Sequence, residues 1–235
     1  MQQALLLFSA AFSGFFFYQF GMDWIKKSWL KFITIFSGAF LFGLAFLHIL
    51  PEIFSESTQP YQIGFWILGG FFIQLLLEFM SKGIEHGHAH LHSAKMPFAL
   101  LFALAVHAIL ETTPLHVGDH GHSHDHGHNN LFWGIMLHKV PVSLVLAGLL
   151  SELKSSKNIG LLLFIGFGLC GPIGYYAGQY IPLLQEFHVE LLALVLGLLL
   201  HISTTILYES TSSHKFNGFK LLAVCVGFYI AYLAS

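Results

Sequence analysis

Four ionisable side chains lie inside runs that are otherwise apolar. His107 and Glu111 sit within Phe98–Pro114, and His138 and Lys139 sit within Leu131–Ser151. His107 and Glu111 are four residues apart, so a helix places them on one face, a turn from each other. His138 lies seven residues past the start of its run and His107 seven residues before the end of its own. If the runs are antiparallel neighbours, the two imidazoles share a depth. Imidazole nitrogen and carboxylate oxygen are both zinc ligands, and three protein ligands leave a position for water. The set His107, Glu111 and His138 therefore reads as a divalent-metal site. The alternative is a hydrogen-bonded His–Glu pair that stabilises the bundle. Lys139 follows His138, about 100° further round the helix. An ammonium in apolar surroundings needs a partner, and Glu111 is the expected one. Lys139 would then be a tethered cation beside the metal.

The elements that hold these residues are membrane-length. The chain has 235 residues, 55% of them hydrophobic, 16% aromatic and 9% charged. Soluble domains carry about 25% charged residues, so the composition predicts an all-α integral membrane protein, without strand alternation. A helix of about 20 apolar residues crosses a bilayer. That length predicts eight spans, roughly 4–22, 30–50, 61–81, 96–114, 131–151, 159–181, 189–209 and 217–234, in one domain covering 1–235. All ten basic residues are lysines. Lys26, Lys27, Lys31, Lys82, Lys95, Lys154, Lys157, Lys215 and Lys220 fall at alternate connections, which are then cytoplasmic. Both termini are expected to face outward from a plasma (inner) membrane. The start of the chain lacks the basic n-region of a cleaved leader. Lys139 alone breaks the lysine pattern.

Two connections are histidine-rich. About 83–95, on the cytoplasmic side, carries His86, His88, His90 and His92. About 115–130, on the outward side, carries His120, His122, His124, His126 and His128 among Gly, Ser and Asp. Such tracts cannot form a core but can capture metal weakly; the alternative is a solvated linker. His48 closes the second span and reads as an entrance group, and His201 in the seventh as a path or exit group. Glu78 and Glu209 are expected at interfaces, and Cys170 and Cys225 as packing residues. Glycines recur at 38, 43, 166, 168, 171, 174 and 178, where helices can approach closely. Pro141 and Pro172 each free a carbonyl one turn earlier.

The chain resembles the ZIP family of zinc and iron permeases. The stretch Ser37–Glu52 looks like that family's second helix. His107 and Glu111 match its His-x-x-x-Glu, His138 and Pro141 its His-x-x-Pro, and Pro172 to Gly174 its sixth helix. The resemblance implies divalent-cation import, chiefly of Zn²⁺, with Fe²⁺, Mn²⁺ or Cd²⁺ as other cargoes. It implies an inverted repeat of spans one to three and six to eight around spans four and five, and elevator-like alternating access. The chain departs from the binuclear pattern at Ala108, Thr112, Val142 and Gly171, while Lys139 occupies a second-site position and Ser143 is an accessory candidate. A mononuclear carrier is the consistent reading. No resident cofactor and no enzymatic activity are expected. The expected partners are lipid and divalent ions; a homodimer is left open, and no basic patch points to nucleic acid. The competing readings are an intramembrane zinc-dependent hydrolase, which lacks HExxH and GxSxG here, and a non-transporting metal sensor, which lacks an output domain.

Overall fold

A computed structural model describes residues 1–20, 27–57, 59–81, 98–115, 125–153, 156–211 and 218–234. These residues are helical, with no strand among them. The helices are α1 (Gln2–Phe20), α2 (Lys27–Leu44), α3 (Leu50–Glu56), α4 (Pro60–Ser81), α5 (Phe98–Thr112), α6 (Asp125–Glu152), α7 (Lys157–Tyr180), α8 (Pro182–Glu186), α9 (His188–Thr211) and α10 (Gly218–Leu233). A π-helical turn, Ala45–Ile49, joins α2 to α3. Among the described residues, seven helices are long and apolar enough to cross a membrane; α10 is apolar but shorter, at 16 residues. The fold is that of an all-α, multi-pass membrane protein.

Two boundaries differ from those expected. The second span runs on past His48 and Pro51 to Glu56. The Leu50 N–H reaches back to the Ala45 carbonyl, five residues away, so the helix widens just before the proline that cannot donate. His48 is therefore inside a π turn rather than at a helix end. The sixth helix begins at Asp125 rather than near 131.

Small residues set the packing. A β-carbon at Gly70 would overlap the Leu194 carbonyl oxygen, and one at Gly197 the Ile67 carbonyl oxygen, so α4 and α9 meet backbone to backbone. Gly174 and Gly178 of α7 meet the Ile109 and Thr113 carbonyls in the same way. Such approaches supply dispersion contact where lipid offers no hydrophobic drive. The main pairings are α4 on α9, α10 on α2, α1 on α6 and on α7, and α5 on α7, with α2 also against α9 and α6. One apolar cluster draws only on α1, α5, α6, α7 and the residue after α6, including Ala11, Leu104, Leu146 and Phe164. The outer faces are apolar too: Phe65, Leu68, Phe72 and Phe79 of α4 are all exposed, as helices facing lipid require.

Candidate metal centre

α5 and α6 bring the four ionisable side chains together inside the bundle. His107 is 4%, Glu111 1%, His138 3% and Lys139 1% exposed. The helical spacing acts as expected, with His107 Nε2 3.2 Å from Glu111 Oε2. The contact lacks hydrogen-bond alignment, and His107 Nδ1, His107 Nε2 and Glu111 Oε2 are all buried without a hydrogen bond. Lys139 Nζ donates to Glu111 Oε1 at 2.5 Å. The expected counter-ion of Lys139 is thus the observed one. On its other side the Lys139 amine lies 3.7 Å from where a Gly171 β-carbon would stand, so α7 packs against it there.

His138 faces His107 with ring centroids 6.2 Å apart and planes at 85°. Both histidines line a small cavity of about 30 Å³, together with Pro141, Val142, Val145 and Leu104. Thr34 and Ser37 of α2 and Ile202 and Ile206 of α9 complete its wall. These residues lie towards the starts of α2 and α5 and the ends of α6 and α9. The cavity therefore lies from mid-depth into the half of the bundle nearer the lysine-rich connections.

Among the described residues, no three His, Cys, Asp or Glu side chains are arranged as a ready metal site. Two imidazoles bound tetrahedrally at Zn–N of about 2.0–2.1 Å put their ring centroids about 5 Å apart. The observed 6.2 Å is thus about 1 Å too wide, and Glu111 is turned to Lys139. What the cluster offers is a pair of imidazoles and a carboxylate oxygen in apolar walls. Unpaired buried polar atoms cost about 1–3 kcal/mol each, and a cation satisfies imidazole and carboxylate lone pairs together.

The accessory candidates point elsewhere. Ser143 shares a 3.0 Å hydrogen bond with Ser13 of α1 and donates to the Val140 carbonyl. His201 lies 3.4 Å from Glu78 Oε2 and edge-on to Phe71, between α9 and α4. His48 interacts with the Ala231 backbone of α10. None of the three lines the cavity. His86, His88, His90, His92, His120, His122 and His124 lie outside the described residues, as do the side chains of His126 and His128. Thr34 and Ser37 on the cavity wall are not among the sequence-based candidates. Their signal is two hydroxyls three residues apart in an apolar span, on one helical face. Each donates to a carbonyl of its own helix, Thr34 to Leu30 and Ser37 to Thr34.

Compared with models of known protein families, the chain matches none. No curated protein matches it either.

Proposed function

We propose that this protein carries a divalent metal ion, Zn²⁺ foremost, into the cell across the inner membrane through a single site between α5 and α6. The observation that carries the reading is the buried, hydrogen-bond-free set of His107 nitrogens and Glu111 Oε2, across a cavity wall from His138. Closing the imidazole pair by about 1 Å and turning Glu111 would make a three-ligand site. The cavity's place in the half of the bundle nearer the lysine-rich connections, cytoplasmic by the positive-inside rule, supports an inward-facing state.

The packing pairs support the inverted repeat. Exchanging spans one to three with six to eight, and four with five, maps α4–α9 onto α10–α2 and α1–α6 onto α7–α5. The eighth span in this reading is α10, whose 16 residues reach about 24 Å and need local thinning or snorkelling flanks. In this reading α1, α5, α6 and α7, which share one apolar cluster, move with the site, and the larger cluster that joins α1, α6 and α7 to α2, α4 and α9 is the surface along which they would slide. A zinc-dependent hydrolase would draw its nucleophile from metal-bound water activated by a neighbouring base, and the carboxylate beside the imidazoles, Glu111, is bonded to Lys139.

The test is zinc uptake into proteoliposomes. The wild-type protein accumulates zinc, and His107→Ala and His138→Ala each lose high-affinity uptake. Undiminished uptake by both variants refutes the assignment.

A further inference from the structure

Glu111 faces two cations' worth of work. One carboxylate oxygen is held by Lys139 at 2.5 Å, and the other points at His107, 3.2 Å away. The cavity touches His107 and His138 but neither Glu111 nor Lys139, so both members of the ion pair are set back from it. Gly171 borders the amine and Leu7 borders the same glycine, so α7 and α1 wall it in.

We propose that Lys139 is a built-in counter-ion that exchanges with the cargo for Glu111. This rests on the carrier reading above. In the empty site the ammonium holds the carboxylate and their charges cancel. An arriving divalent ion, taken first by the imidazoles, draws Glu111 away from Lys139. The loaded site then bears the ion's own two charges, and the displaced ammonium repels the ion and favours its release. On release the pair reforms. Because a buried unpaired charge is strongly disfavoured, a carrier with a bare carboxylate would be held back from crossing empty. The exchange with Lys139 removes that barrier with no second ion and no proton aboard. Positioning and charge balance are thus performed by one side chain.

Two variants test the exchange, each measured for equilibrium zinc binding in nanodiscs and for transport in proteoliposomes. Transport is read in two modes: net uptake into zinc-free vesicles, and zinc–zinc exchange, which needs only the loaded carrier to cross. Lys139→Met removes the competitor, so its zinc Kd falls by about tenfold or more. Its net uptake falls at least about tenfold relative to its exchange, a ratio a merely structural loss would not move. Lys139→Arg keeps the charge and grips a carboxylate with two parallel bonds, so its Kd rises while its ratio of net uptake to exchange stays at the wild-type value. A Lys139→Met protein with wild-type Kd, or one in which both transport modes fall together, overturns the proposal. If Lys139→Met does not fold, Lys139→Arg decides, and a wild-type Kd there overturns it. Absence of zinc movement by the wild-type protein is a separate outcome, and it is the carrier reading that then fails.

Discussion

Replacing Glu111 by Gln leaves the shape of the side chain and one amide oxygen but removes the charge that Lys139 is bonded to. Lys139 is 1% exposed and its ion-pair partner is 2.5 Å away. Removing one member of a buried pair costs about 3–5 kcal/mol, because the other charge is stranded. Removing both with groups of similar volume is often neutral. Glu111→Gln is therefore expected to lose about 3–5 kcal/mol, and Glu111→Gln with Lys139→Met to recover part of it. Because the double variant is no worse than Glu111→Gln alone, their coupling should be at least the cost of Lys139→Met by itself, about 3–5 kcal/mol. Reversible unfolding of the metal-free protein by SDS in mixed micelles measures all four corners of the cycle. A Glu111→Gln protein within about 0.5 kcal/mol of wild type, or strictly additive losses, would show that the pair does not hold the charge. The account of Lys139 would then be wrong at its root.

Other expectations follow from the packing and the cavity. Gly197→Val should cost about 1–3 kcal/mol or more in the same unfolding assay, since its side chain meets the Ile67 carbonyl. Gly166→Ala, with nothing within 4 Å of the new carbon, should change stability by no more than about 0.5 kcal/mol. With Cys170 and Cys225 replaced by Ala, Val145→Cys should react with a membrane-impermeant maleimide added on the lysine-rich side, while Phe132→Cys, on a buried position towards the other end, should not. Labelling of Val145→Cys only from the opposite side would contradict the inward-facing state.

The parts of this structure legible in the sequence are those set by helical periodicity and by antiparallel connection. Four-residue spacing placed His107 against Glu111, and equal depth on adjacent spans brought Lys139 onto the same carboxylate. Which way a side chain turns between two neighbours is not set locally. Ile202 and Val142 line the cavity, yet His201 and Ser143, the next residue back and the next residue on, face α4 and α1. One residue is about 100° of helix, enough to change partner, and the partner is fixed by packing. The π turn at Ala45–Ile49 was hidden for a related reason. Pro51 reads as a stop signal until the backbone widens before it, and no single residue type announces that widening.

The most direct test of the central claim is anomalous scattering at the zinc edge from crystals grown with zinc. The account predicts a peak between α5 and α6 bonded to His107 and His138 at about 2.0–2.1 Å, with Glu111 swung towards it and away from Lys139. Zinc found only on the histidine-rich connections, with the Glu111–Lys139 pair intact and no peak between the two helices, would contradict it.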